Sequence, residues 1–304
     1  MTDEQIQEVV EETSVFARVT PEQKLRLLKA LQAKGYIAAM TGDGVNDAPA
    51  LKQANIGIAM GKSGTEVAKE AADMVLTDDN FASIEEAVEE GRCVFDNLRK
   101  FIVWTLPTNL GEALAIMIAI LGGLTLPIAP VQILWINMTT ALCLGIMLAF
   151  EPKEADLMQR PPRDPAAPLI TTGLMVRTIA VGILLAAGVY LLYFYEIRSG
   201  LSVEEARTAA VATLVFGELF YLFSCRSLNK SLFSISILSN PLLILGVFTM
   251  IGLQLIFTYL PLMNKLFASA PISLETWGHI LLVGFVILIF TELEKPLRNR
   301  FRVK

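Results

Sequence analysis

Six long apolar segments in the last two thirds of the chain most limit how it can fold. They lie near residues 101–121, 131–150, 174–195, 208–225, 241–260 and 277–293. Each is close to the twenty residues that an α-helix needs to cross the hydrocarbon core of a bilayer. With 54% hydrophobic and only 18% charged residues, the composition also excludes an ordinary soluble protein. We therefore expect an all-α bundle of six transmembrane helices in a lipid bilayer.

The basic residues predict the orientation of this bundle. On the side of the first hundred residues, the flanks carry Arg92, Arg99, Lys100, Lys153, Arg160, Arg163, Arg226, Lys230, Lys295, Arg298, Arg300, Arg302 and Lys304. The opposite loops carry only Arg198, Arg207 and Lys265. Because Lys and Arg accumulate on the cytoplasmic side, we expect a multi-pass protein of a bacterial plasma membrane with its soluble part and C-terminus in the cytoplasm. Arg177, near the start of a span, is expected to snorkel to the cytoplasmic surface.

The polar N-terminal part alternates short apolar runs with helical patterns. The runs at 15–19, 36–40, 56–60 and 74–77 predict strands. Between the first two, Thr20, Pro21 and Gly35 punctuate a predicted helix as its N-cap, its first position and its end. This alternation predicts a parallel α/β sheet.

A polar segment, TGDGVNDAPALK at 41–52, follows one predicted strand. Ligands bind where loops leave the carboxyl ends of parallel strands. Gly44 allows close approach of the backbone, Asp43 and Asp47 offer hard oxygen ligands for Mg²⁺, and Asn46 can donate to a phosphoryl oxygen. These residues suit phosphoryl transfer, although Gly, Asn and Asp are also common in a simple polar turn.

Three consecutive blocks resemble the phosphorylation domain of P-type ATPases, which has a haloacid-dehalogenase-like fold. They are FARVTPEQK at 16–24, MTGDGVNDAPALK at 40–52, and IGIAMGKSGTEVAKEAADMVLTDDNFASIEEAVEEGR at 56–92. The segment at 130–163 resembles the second P-type subfamily, which includes calcium and sodium pumps. The resemblance covers essentially the whole chain.

The resemblance assigns roles to residues of the soluble part. It implies that Asp43 coordinates the catalytic Mg²⁺ and that Asp47 supports it. Lys24 and Asn46 would contact an aspartyl phosphate, with Lys24 neutralising its charge. With Gly44, these residues form the predicted catalytic site, and Mg²⁺ and ATP are the implied cofactors, although the ATP-binding domain is not in this chain.

Segments that the family needs are not found in this sequence. There is no Asp-Lys-Thr-Gly-Thr segment to supply the phosphorylated aspartate, and the nucleotide-binding domain, the actuator domain and the first four spans have no counterpart. We expect a truncated gene model, a fragment or a split subunit that is inactive alone. The expected partners are the missing N-terminal half in cis or in trans, the bilayer and a transported cation, but no nucleic acid.

Two carboxylates lie within predicted spans, where an ionisable group is costly and marks a functional site. Glu112 shares a helix face with Asn109, and Glu218 lies in another span. Asn137 and Thr140 share a face of the second span and offer neutral oxygens. Hydrogen bonding between helices is the alternative role for all of them. The resemblance favours cation binding, because each position matches one that ligates transported cations.

One position departs from the family pattern. The calcium and sodium pumps have an aspartate directly after this threonine, whereas this chain has Ala141. The substitution removes one carboxylate from the expected cation site. Ca²⁺ is the leading expected substrate, and we expect one Ca²⁺, or a monovalent ion, for each ATP.

We interpret the chain as part of an ATP-driven cation pump that works through an aspartyl phosphate. Residues 1–95 are predicted to be the end of the phosphorylation domain, and residues 96–304 the six-helix cation-transport domain. A non-catalytic membrane subunit or regulator derived from such a pump is the alternative. A secondary transporter or channel would leave the motif at 41–52 unexplained.

Overall fold

The chain alternates strands and helices as far as residue 76 and is largely helical from Ala82 onward in the computed structural model. The structure describes residues 1–302, without the side chains of 299, 301 and 302. Lys304, one of the predicted cytoplasmic basic residues, and the side chain of Arg302 thus lie outside the described residues. The chain divides into two units, Met1–Glu90 and Gly91–Lys304. The proposed domain boundary at residue 95 remains a prediction.

The first unit contains a small parallel sheet with strand order β1-β2-β3. Its strands are β1 Ala39–Gly42, β2 Ile56–Met60 and β3 Met74–Leu76. In the register, Gly42 lies opposite Ala59, and Met60 lies opposite Leu76. The ends of the strands therefore bring their following loops to one edge of the sheet. The helices of this unit are α1 Asp3–Glu12, α2 Pro21–Ala33, α3 Ala48–Gln53 and α4 Glu66–Ala71.

The predicted strand at 15–19 is wrong. These residues form no regular element, and Val15 is 81% exposed. Arg18 has φ +56°, in the left-handed region, which interrupts an extended strand. No strand in the described part of the chain pairs with this run, so its apolar side chains have no sheet in which to pack.

Helix α2 begins and ends where the sequence predicts. Thr20 accepts from the backbone N–H of Gln23, whose side chain accepts in turn from the backbone N–H of Thr20. This reciprocal capping box satisfies two amide groups that the first turn leaves unbonded. Pro21 opens the helix and Gly35, with φ +87°, lies just beyond its end.

Among the described residues from Ala82 onward, six helices are long and apolar enough to span a membrane, as predicted. The helical elements of this region are α5 Ala82–Gly122, α6 Pro130–Cys143, α7 Thr172–Arg198, α8 Val203–Cys225, α9 Pro241–Tyr259, α10 Pro261–Phe267 and α11 Leu274–Arg302. The short α10 is not a span. The second apolar run is not one α-helix, because α6 ends at Cys143 and residues 145–150 continue as a 3-10 helix.

Helix α8 forms the centre of the bundle and packs against α7 and α11. Its small residues Ala209, Ala210 and Ala212 are fully buried. Small side chains let helix backbones approach closely, which favours association of helices within a membrane. Helix α8 therefore fixes the positions of the polar side chains that it carries.

Arg177 does not snorkel to the surface as expected. Its side chain is fully buried, and its guanidinium group lies 3.3 Å from Glu294, donates to the Ser224 hydroxyl at 3.1 Å, and donates to the Tyr221 hydroxyl at 3.3 Å. Buried charge is tolerated when it is paired and hydrogen-bonded. The Arg177 guanidinium is therefore satisfied by partners on α8 and α11 and not by water at the membrane surface, as snorkelling would require.

Candidate functional site

The first candidate site is the loop that leaves β1, which we call the Asp43 loop (residues 42–47). It begins at Gly42, the last residue of β1, and continues through one 3-10 turn into α3. A Cβ atom at Gly42 would lie 2.6 Å from the Cβ of Asp47, so only glycine lets the two ends of the loop approach this closely.

Lys24 and Asp47 form an ion pair within this site. The Lys24 Nζ donates to Asp47 Oδ1 at 2.6 Å, and the backbone N–H of Gly44 donates to Asp47 Oδ2 at 3.3 Å. Burial by itself would raise the pKa of Asp47, but the hydrogen bond and charge of Lys24 and the amide of Gly44 hold it below its ordinary value. Asp47 is therefore ionised at neutral pH and orients the Lys24 ammonium group.

Asp43 and Asn46 face solvent in the same loop. The backbone carbonyl of Asp43 accepts from the backbone N–H of Thr65 at 2.8 Å, which fixes the main chain while its carboxylate stays accessible. The described residues contain no cluster of three or more His, Cys, Asp or Glu side chains that could hold a metal. Mg²⁺ usually takes only one or two protein carboxylates and fills its other positions with water and phosphate oxygens. The donor set of Asp43 and Asp47 fits that requirement.

The second candidate site lies among the spans, where Glu112 of α5 meets Asn137 of α6. The Asn137 Nδ2 donates to Glu112 Oε2 at 2.7 Å and to the Ile133 carbonyl at 3.2 Å. Glu112 is only 6% exposed. The Asn137 Nδ2 thus uses its hydrogens in these two bonds. The Oδ1 of the same amide stays available as a neutral oxygen beside a buried carboxylate.

Glu218 of α8 is buried and its carboxylate has no hydrogen-bond partner. The residue is 1% exposed, and both Oε1 and Oε2 lack a partner among the described residues. Its polar neighbours are Thr140 of α6 and the Glu112 carboxylate. The Trp104 Nε1 donates to the main-chain carbonyl of Glu218 at 3.0 Å and holds this turn of α8 against α5. The carboxylates of Glu112 and Glu218 thus lie near each other, and no Lys or Arg side chain of the described residues pairs with either of them.

The structure does not bring every predicted cation ligand into this group. Asn109 is exposed and its side chain makes no hydrogen bond within the described part of the chain, although it shares helix α5 with Glu112. Ala141, which follows the buried Thr140, is also exposed. The group formed by Glu112, Asn137, Thr140 and Glu218 is therefore more restricted than the sequence suggested; we call it the Glu112–Glu218 site.

Two contacts that support these sites are not indicated by any pattern in the sequence. One is the bond from Trp104 to Glu218, which joins residues 114 positions apart. The other is a set of backbone amides that surrounds Asp79. The Asp-Asp-Asn segment at 78–80 is typical of a turn, and nothing in that pattern indicates which loop its carboxylates contact.

Comparisons with known proteins define the class. A family model for the C-terminus of cation transporting ATPases matches residues 125–297, and a model for haloacid dehalogenase-like hydrolases matches residues 4–55. The first match covers more than half of the chain and includes three of the four residues of the Glu112–Glu218 site. The chain belongs to the family of P-type cation-transporting ATPases.

Three relatives illustrate the range of the similarity. Over 289 residues the chain is 60% identical to a "Probable cation-transporting ATPase F" of Mycobacterium tuberculosis, covering 95% of this chain and 32% of the relative. It is 42% identical to a "Calcium-transporting ATPase" of Bacillus subtilis, covering 93% and 32%. It is 34% identical to a "Calcium-transporting ATPase type 2C member 1" of Pongo abelii, covering 100% and 33%. The chain spans about a third of the length of these relatives.

Proposed function

We propose that this chain supplies the cation-translocating bundle and the end of the phosphorylation domain of an ATP-driven cation pump. The observation that carries the proposal is the Glu112–Glu218 site, where two buried carboxylates converge from α5 and α8. A buried carboxylate without a partner is costly, and a dehydrated cation would remove that cost. Membership of the cation-transporting ATPases supports the same function.

The Asp43 loop would serve phosphoryl transfer through an aspartyl phosphate. In that reaction Lys24, held by Asp47 at 2.6 Å, places positive charge beside the phosphoryl oxygens. Asn46 can donate a hydrogen bond to the same group, and Asp43 presents a free carboxylate to Mg²⁺. Bound Mg²⁺ would neutralise charge that develops on the transferred phosphoryl group. ATP would bind to a domain outside this chain, in an N-terminal half that joins it in cis or in trans.

Ca²⁺ is the leading substrate of this proposal, at one ion per ATP. A dehydrated divalent ion in a bundle of low dielectric needs nearby negative charge, and this chain supplies Glu112 and Glu218. Ala141 adds no charge at a position where the calcium and sodium pumps that this segment resembles have an aspartate. Two carboxylates balance one Ca²⁺, and a monovalent ion is the alternative cargo. The spans would lie in a bacterial plasma membrane with the first unit in the cytoplasm.

A chimera would test this function. The corresponding C-terminal third of the Mycobacterium tuberculosis relative is replaced by this chain, and the chimera is placed in sealed vesicles. The ratio of ion moved to phosphate released is then measured separately with Ca²⁺, Na⁺ and K⁺. We expect a ratio near one with Ca²⁺ or with one monovalent ion. Phosphate release without movement of any ion would contradict the proposal, and a ratio near two with Ca²⁺ would contradict the charge balance.

A further inference from the structure

A loop that follows β2 is held by the carboxylate of Asp79. The backbone N–H groups of Gly61 and Lys62 donate to Asp79 Oδ1 at 2.7 and 2.9 Å, and that of Ser63 donates to Oδ2 at 2.8 Å. Three consecutive amides therefore converge on one carboxylate, as in the backbone nests that bind anions. We call residues 61–65 the amide loop.

The same loop reaches the Asp43 loop two residues later. The backbone N–H of Thr65 donates to the carbonyl of Asp43 at 2.8 Å. Between the two contacts, Gly64 packs so tightly that a Cβ would lie 1.9 Å from the carbonyl of Met60, which leaves the segment little freedom to rearrange. One short, constrained segment thus joins the Asp79 carboxylate to the backbone of Asp43, the residue proposed to bind Mg²⁺.

The conformation of Asp79 is itself specialised. Its φ is +56°, a region that Asp and Asn tolerate better than most residues. The amide of Lys62, the side chain and amide of Ser63 and the amide of Gly61 outweigh the opposing effect of burial and lower the pKa of Asp79 to about 2. The group is therefore a carboxylate throughout the neutral range. The neighbouring Asp78 has a different task, because it accepts from the Asn80 amide and the Ser83 hydroxyl instead.

We propose that Asp79 is a positioning residue that sets the Asp43 backbone through the amide loop and so determines how well the Asp43 carboxylate binds Mg²⁺. The link to Mg²⁺ rests on the proposed function, whereas the link between the two loops does not. Asp79 touches neither substrate nor metal in this scheme. Its effect passes through three amides, one constrained glycine and the single bond from Thr65 to Asp43.

Asp79→Asn is the most informative variant. Asparagine keeps the size and tolerates positive φ, but its neutral amide cannot accept three N–H groups as a carboxylate does. Asp78→Asn is the matched control, because the Asp78 carboxylate accepts no bond from the amide loop. Both variants of the full 304-residue chain are prepared in lipid nanodiscs, and amide hydrogen exchange is followed by mass spectrometry.

We expect Asp79→Asn to speed exchange by about tenfold or more in residues 61–65 and also in residues 43–47, because bonds to charged acceptors are stronger than neutral ones. Asp78→Asn should leave both segments unchanged. Faster exchange in residues 61–65 alone would overturn the proposal, since Asp79 would then stabilise only its own loop. No change in either segment would overturn it as well.

A second pair of variants tests the bond itself and guards against misfolding of Asp79→Asn. The φ of Thr65 is −69°, which proline adopts without strain, so Thr65→Pro removes the N–H donor and retains the backbone angle. Thr65→Ala keeps the N–H but removes the hydroxyl, which accepts from the Ala68 N–H at 3.3 Å, and the γ-methyl. Proline lacks both groups too, so the two variants differ in the N–H. In the chimera, we expect Thr65→Pro and Asp79→Asn to raise the Mg²⁺ concentration for half-maximal phosphorylation about tenfold, and Thr65→Ala to leave it unchanged.

Equal Mg²⁺ requirements in Thr65→Pro and Thr65→Ala would overturn the positioning role. A parent chimera that forms no phosphoenzyme would count against the proposed function, and the exchange measurement would still decide whether Asp79 controls the Asp43 loop. The two failures are therefore distinguishable.

Discussion

The candidate functional carboxylates of the two units are held in opposite ways. In the first unit, Asp47 accepts from Lys24 and Gly44, and Asp79 accepts from three backbone amides. In the second, Glu112 accepts from one amide of Asn137, and Glu218 accepts from no group in the described chain. Glu112 and Glu218 are thus less well satisfied than Asp47 and Asp79.

This contrast indicates what each unit provides. Paired carboxylates in the first unit fix the positions of other groups, namely the Lys24 ammonium and the amide loop. Unpaired buried carboxylates in the second unit need a proton or a cation to be stable. The first unit therefore holds these carboxylates in a pre-organised arrangement, whereas the Glu112–Glu218 site is completed only by a proton or a cation.

The largest expected effect is on transport by the chimera. We expect Glu112→Gln to reduce Ca²⁺ transport on the order of 100-fold, because it keeps shape but removes charge from a buried site. Glu196→Gln is the matched control: Glu196 is also buried within a span, but it already has a partner in His279 at 3.0 Å. Near-normal uptake by Glu112→Gln would mean that this residue only joins helices.

The next effect is on stability and should have opposite signs in the two units. Glu218→Leu removes a buried carboxyl group without a partner and should stabilise the cation-free bundle by about 1–3 kcal/mol. Thermal unfolding followed by tryptophan fluorescence reports the second unit, because all three tryptophans, at 104, 135 and 277, lie there. A loss of stability in Glu218→Leu would break the comparison, since it would show that Glu218 is satisfied without a cation.

In the first unit, Asp47→Asn should lower the stability of the folded state. The pKa of Asp47 is lower in the folded state, so its contribution is present above the unfolded value of about 4 and is lost as pH falls through the folded value. The expected contribution is about 1 kcal/mol, because Lys24 is partly exposed. The protection factors of residues 43–47, which compare measured exchange with the intrinsic rate at the same pH, should therefore fall in acid in the parent chain, and Asp47→Asn should remove most of that fall. Equal acid sensitivity in both chains would contradict the ion pair.

The smallest effect is expected at position 141. Ala141 is exposed on a candidate span and lies outside the buried Glu112–Glu218 site. We therefore expect Ala141→Asp to change the Ca²⁺ affinity of the chimera less than any other variant of the second unit. An unchanged affinity and ion preference would show that this position does not line the cation site.

Features of the fold that depend on neighbouring residues could be predicted from the sequence, whereas features that depend on contacts between distant parts of the chain could not. The positions of α2 and β2 were predicted closely, because capping by Thr20 and the apolar run at 56–60 are local features. The strand at 15–19 was wrong, since a strand also needs a partner that lies elsewhere in the chain. Arg177 was misjudged for a related reason: its acceptors Ser224 and Glu294 belong to other helices.

The candidate sites show the same division. Motifs marked Asp43, Asp47, Glu112 and Glu218 as chemically active positions. Motifs did not reveal that the Glu218 carboxylate is without a partner, or that Asn109 is exposed, because both depend on helix packing. The control of the Asp43 loop by Asp79 joins three loops and is visible only in the folded chain.

Equilibrium binding of radioactive Ca²⁺ to the chimera tests the central claim most directly, namely that Glu112 and Glu218 together hold the cation. The parent, the double variant Glu112→Gln, Glu218→Gln, and the control Glu196→Gln are compared at equal protein concentration. We expect one saturable Ca²⁺ per chain in the parent and the control and none in the double variant. Undiminished binding by the double variant would contradict it.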